Sequence, residues 1–260
     1  MTRIGLQRMT VHQYLKPPIL EAVCEVSFAP VADEWNISYP WLFYEKVKHI
    51  YTGIPKEQKL VRLDPPTTGL PGKETSPLTV VEQSKIQFPL ADDTALVAVG
   101  PNVLSAHIRH PYPGWGVYRG RIAEALKEYI GVANPAGIRK IGLRYINQVN
   151  IPNLQPNVAD YFTIPPSNVL SDEAITDNFF SRTEYIYQDE PIRVVLNFAR
   201  TEALPTASAY LLDIDMVWQW PAQPLPLDSI MNKIDELRRR ERIIFERLIT
   251  DQTRGLFDAT

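Results

Sequence analysis

Alternating apolar and polar residues recur along this chain in short runs separated by turn residues, and only three stretches interrupt the pattern with helical stripes. Residues 94–110 are typical: two strand-like runs turn on Gly100, Pro101 and Asn102. That spacing suits a hairpin and is too short for the crossover that a parallel pair needs. Two strand segments flank Asp92 and Asp93. Others lie at 19–29, where Ala22, Cys24, Val26 and Phe28 share a side before Pro30 stops the run, and at 137–152, where Ile141, Leu143, Tyr145 and Val149 do so. Three further strands are predicted at about 183–189, 192–199 and 207–220.

The helical stripes are Phe43, Val47, Ile50 and Tyr51; Trp115, Tyr118, Ile122, Ala125, Leu126 and Tyr129; and Ile230, Ile234, Leu237, Ile244, Phe245 and Leu248, the last behind an Asp228 N-cap. Thr250 and Asp251 open a short terminal turn. Residues 53–78 carry five prolines and three glycines and predict a mobile excursion, the best candidate for a loop ordered by a partner. Residues 152–182, rich in Pro, Asn and Asp, are expected to wrap the surface. Hairpin strands between isolated helices predict an α+β fold with mainly antiparallel sheets and a few helices on one face. The 260 residues form one unit on this reading, or two intimately packed, related halves at about 1–135 and 136–260.

No apolar segment approaches the roughly 20 residues needed to span a bilayer, so no membrane association is expected. The first twenty residues have no apolar run of signal-peptide type, which predicts an intracellular, cytoplasmic protein. The single cysteine, Cys24, excludes an internal disulfide and a multi-cysteine zinc site, and its apolar run predicts a buried, inert thiol. A net charge of -3 provides no general attraction for nucleic acid.

Chemistry concentrates in a few places. In "LLDIDMVWQW", residues 211–220, Asp213 and Asp215 project to one side of a strand about 7 Å apart, while Tyr210, Leu212, Ile214, Met216, Trp218 and Trp220 face the core. Two readings stand: a carboxylate pair for a divalent ion, as in nucleotidyl or phosphoryl transfer, or charges held by Lys140 and Arg144 of one neighbouring strand and Arg193 of another. The chain has neither the Gly-Lys-Ser/Thr phosphate loop nor the Gly-x-Ser-x-Gly elbow that would decide for catalysis. "HIRHPYPGW" offers His107, Arg109 and His110 as a basic, aromatic lip able to touch phosphate or a partner; the two histidines, three apart, face opposite sides of a strand. Arg238, Arg239 and Arg240 could contact nucleic acid, but Glu236, Glu241 and Glu246 are interleaved with them and fit a solvated or partner-contacting helix surface.

The stretches "PPILEAVCEVSFAP", "GLRYINQVNIP", "LLDIDM" and "IFERLITDQTRGLF", in that order, resemble a sporadically distributed bacterial protein family of unknown function. The resemblance implies a bacterial cytoplasmic protein encoded among accessory genes, compatible with an anti-phage defence or mobile-element module, and brings no catalytic residues. The expectation is a non-enzymatic binding or assembly protein that needs no cofactor or metal. It would recognise a protein partner, another copy of itself or a nucleotide-bearing ligand through one side of its sheet and the Pro-rich loop. A metal-dependent transfer enzyme built on Asp213 and Asp215, and a nucleic-acid-binding protein, are the alternatives.

Overall fold

A computed structural model describes residues 12–29, 35–64, 79–167, 177–201, 205–219 and 225–258, with the side chains of 60–64 and 79–83 left out. Pro30, Trp220 and the Pro-rich residues 65–78 of the sequence reading lie outside these. The strands are β1 (Ile19–Ala29), β2 (Lys56–Asp64), β3 (Thr79–Pro89), β4 (Ala95–Gly100), β5 (Val103–Arg109), β6 (Gly137–Ile151), β7 (Phe180–Ile186), β8 (Ile192–Arg200) and β9 (Ser208–Gln219). The helices are α1 (Tyr39–Val47), α2 (Trp115–Ala133), α3 (Ile230–Leu248) and α4 (Asp251–Leu256). All nine strands join one sheet in the order β2-β3-β4-β5-β1-β6-β9-β8-β7, every pairing antiparallel. The fold is α+β.

The connectivity repeats. In each half a first strand, β1 or β6, leaves the centre of the sheet, a run of hairpins returns so that its last strand, β5 or β9, pairs with that first strand, and a long helix follows. β1 and β6 pair with each other and make the sheet continuous.

One sheet face is apolar and lies beneath the helices. Ala22, Cys24 and Val26 of β1, Ile141, Leu143 and Tyr145 of β6, and Leu212, Ile214 and Met216 of β9 are buried there, each fully buried aliphatic side chain adding about 1.5–3 kcal/mol. Phe43 and Val47 of α1 pack over β4, with Tyr44 stacked on Phe88 at 4.8 Å. Tyr118 of α2 donates its hydroxyl proton to the Ala106 carbonyl at 2.9 Å, which ties the helix to β5.

Local chemistry sets most helix ends. Gly114 reaches φ 97°, a region that disfavours side chains, to turn the chain into α2, and Asn134 closes that helix in the left-handed conformation before Pro135. Thr250 caps α4 by accepting the Thr253 amide. Elsewhere the sequence reading shifts. α1 stops at Val47, although Tyr51 is still buried; α3 is capped at Ser229, with Asp228 in a preceding 3-10 turn. Lys56–Asp64, inside the predicted irregular excursion, form a strand because β3 supplies a full antiparallel partner. Among the described residues no helix is long and apolar enough to cross a membrane.

Candidate functional site

The face of the sheet turned away from the helices carries the acidic couplet. Antiparallel register sets Asp213 opposite Asn197 of β8 and Asp215 opposite Arg144 of β6. The Arg144 side chain leans two pairs along and grips Asp213 in a fork, Nε to Oδ1 at 2.7 Å and Nη2 to Oδ2 at 2.8 Å, while Asn197 Nδ2 donates to Oδ2 at 2.8 Å. A metal at Asp213 would have to displace this bidentate guanidinium. The Asp215 carboxyl has no hydrogen bond among the described residues, and burial pushes it above the ordinary value against the fields of Arg144 and Lys140. Lys140 itself stands 3.5 Å from Glu25, which Lys85 also holds at 2.6 Å; although burial raises Glu25, these two ammonium groups keep it below the usual carboxylate range. Arg193 does not reach the couplet. It lies opposite Val217, two pairs beyond the level of Asp215, and turns outward to Glu184 of β7 at 3.4 Å, so its charge belongs to the sheet edge. Among the described residues no group of three or more His, Cys, Asp or Glu is placed to hold a metal.

The proposed lip does not assemble. His107 lies on the same face as the couplet, between Glu21 and Ser105, each at 3.0 Å, and lowers the Glu21 carboxyl by its hydrogen bond. Arg109 is paired with Asp93, and His110 is exposed beyond the end of β5. The three consecutive arginines also part. Arg240 bridges Glu190 and Glu236 at 2.7 Å and Arg239 is exposed, but Arg238 turns inward instead of lying on a solvated surface. The rings of Tyr145 and Trp115 beneath it draw the guanidinium in by cation–π attraction, where an arginine over open surface would keep its charge in water.

Arg238 leads to a cleft of about 420 Å³ on the helix side. Tyr145 and Asn147 of β6 form its floor, α3 one wall, Tyr112 to Trp115 another, and the Gln13–Ile19 segment the rim. The Arg238 guanidinium lies 4.2 Å over the Tyr145 ring and is ion-paired with Glu241, which is only 2% exposed. Its Nε is buried without a hydrogen-bond partner among the described residues. Burial raises the Glu241 carboxyl against the pull of Arg238, and burial, with Arg238 close by, lowers Arg242, which donates to the His12 carbonyl. Glu246, also buried, accepts from Tyr14 at 2.8 Å and Arg254 at 3.0 Å. The Tyr112 and Tyr145 hydroxyls meet at 3.3 Å. Asn147, which lines the cleft, gives its amide hydrogens to the Leu212 and Tyr145 carbonyls, and among the described residues nothing donates to its own carbonyl oxygen.

Glu241 and Glu246, expected with Arg238 on a solvated or partner-contacting helix surface, are instead buried, and one signal of this was present in the sequence. Ile234, Leu237, Glu241, Phe245 and Leu248 follow one helical stripe, and a glutamate within an apolar stripe marks a buried charge. The chain matches no family model, no curated protein and no solved structure.

Proposed function

We propose that this is a non-catalytic binding protein that takes a small planar polar ligand of nucleobase type into the α3 cleft, acting within a bacterial accessory module as the family resemblance implies. One observation carries the reading. Two opposed pairs of buried charges, Arg238 with Glu241 and Arg254 with Glu246, line or flank an open cavity. Apolar residues of similar volume would stabilise such a position as well or better, which leaves recognition as the reason to keep the charges there. The volume lies in the range of small-ligand sites. Trp115, Tyr112 and Tyr14 provide aromatic surface, and Asn147 and Glu241 provide acceptors for the edge donors of a base. This moves recognition to the helix side of the sheet, opposite the face that carries Asp213.

The test is a thermal-shift and calorimetric screen of adenine, guanine, cytosine and uracil nucleosides and their mono- and triphosphates. At a hundredfold excess over Kd a bound ligand adds about 2.7 kcal/mol, and that gain should vanish in Asn147→Leu and Glu241→Gln. A screen without binding at millimolar concentration, or binding indifferent to both substitutions, refutes the proposal.

A further inference from the structure

β7 is an edge strand whose seven residues, FSRTEYI, are all exposed. The Tyr187 amide donates to the Ile192 carbonyl and the Arg200 amide to the Phe179 carbonyl. In an antiparallel ladder these groups alternate, so odd-numbered residues of β7 bond to β8 while Phe180, Arg182, Glu184 and Ile186 direct their backbone N–H and C=O outward. No backbone hydrogen bond reaches those outward groups among the described residues. Edges left free are usually guarded by charge, as at the other end of the sheet, where β2 opens with Lys56-Glu57-Gln58-Lys59. β7 instead exposes Phe180 (68%), Tyr185 (52%) and Ile186 (76%).

We propose that β7 pairs antiparallel with β7 of a second copy of this chain, about a two-fold axis at Thr183, and so extends the sheet across a dimer. The sequence of the strand is complementary to itself in this register and in no other centred on a non-bonded position. Arg182 meets Glu184 of the second copy and Glu184 meets its Arg182, at positions whose outward N–H and C=O groups pair directly. Phe180 faces the second copy's Ile186 on the same side of the sheet, Ser181 faces Tyr185 on the other, and Thr183 faces its own copy. Charge, apolar contact and backbone geometry agree on one alignment, whereas a slip of one residue would send side chains to the wrong faces. Within a single chain Glu184 already holds Arg182 at 2.6 Å and Arg193 at 3.4 Å, which keeps the charges on one level and ready for exchange.

Sedimentation velocity on the full chain between about 1 and 100 µM should show a species of twice the 29.6 kDa chain mass. Arg182→Glu and Glu184→Arg, each placing like charges opposite one another twice, should weaken association about tenfold or more. The double variant Arg182→Glu/Glu184→Arg, and an equimolar mixture of the two single variants, should both recover it. The mixture separates lost pairing from lost folding, since unfolded chains cannot rescue each other. A monomer throughout the range, dimers unaffected by the single substitutions, or failure of both the double variant and the mixture would overturn the proposal.

Discussion

Consider replacing Arg144 with methionine. The variant retains an apolar stem over Asp213 but removes both bonds of the fork, 2.7 and 2.8 Å, and leaves the carboxylate, 2% exposed, with Asn197 alone. Stranding a buried charge costs about 3–5 kcal/mol, so Arg144→Met should lose about 4. The reverse substitution, Asp213→Val, strands no charge, because the Arg144 side chain is already 45% exposed and can turn into water, and leaves only the half-buried Asn197 amide without its acceptor; about 1 kcal/mol is expected. With both replaced, two apolar side chains pack where the pair stood, and stability should return to within about 1 kcal/mol of the parent. Urea melts of the four proteins give the three differences, and thermal melts should echo them at about 2–3 °C per kcal/mol for a chain of this size. Equal losses from the two single substitutions, or a double variant worse than Arg144→Met, would refute the view that burial of Asp213, and not the ion pair as such, sets the energetics. If a divalent cation restored Arg144→Met, the couplet would instead be a metal site that its arginine had masked.

Two further outcomes follow from buried groups. The Asp215 carboxyl is raised by burial, so the folded protein holds its proton more tightly than the unfolded chain; its charge therefore opposes folding at neutral pH, and that penalty fades as pH falls from the folded value toward the unfolded one near about 3.9. Asp215→Asn should raise the Tm at pH 7 and lose the advantage near pH 4, whereas an offset that does not change with pH would contradict this. Cys24, 2% exposed, has its thiol pushed far up by burial and the neighbouring Glu25 charge. Labelling by a thiol reagent should run at least about a thousandfold slower than in urea and track global unfolding; fast labelling of the native protein would show β1 to be loosely held.

Periodicity made the α+β class and the inward faces of β1, β6, β9 and α3 legible, because alternation and helical stripes are local and the core selects them directly. It failed where one segment is defined by another. β2 was hidden among prolines until β3 supplied its partner, and α1 ends at Val47 in a turn, with the Ile50 and Tyr51 amides on the Val47 carbonyl, that still delivers Tyr51 to the core. The couplet shows the same division: its side of the strand followed from spacing, but the choice of Arg144 over Arg193 needed the register of three strands.

By itself, then, the amino-acid order determined which apolar residues are buried, since that depends on spacing of a few residues and on the aversion of apolar groups to water; the burial of Glu241 and Glu246 was not legible in it. The tertiary structure alone decided which charges meet. Arg238, Arg239 and Arg240 are neighbours in sequence and differ in fate because each direction around α3 meets a different surface: an aromatic floor, open water, and the carboxylates of Glu190 and Glu236. Coulomb forces act over a few ångströms in space regardless of separation along the chain, and only the folded sheet brings Tyr14, Tyr145 and Glu246 to one cleft.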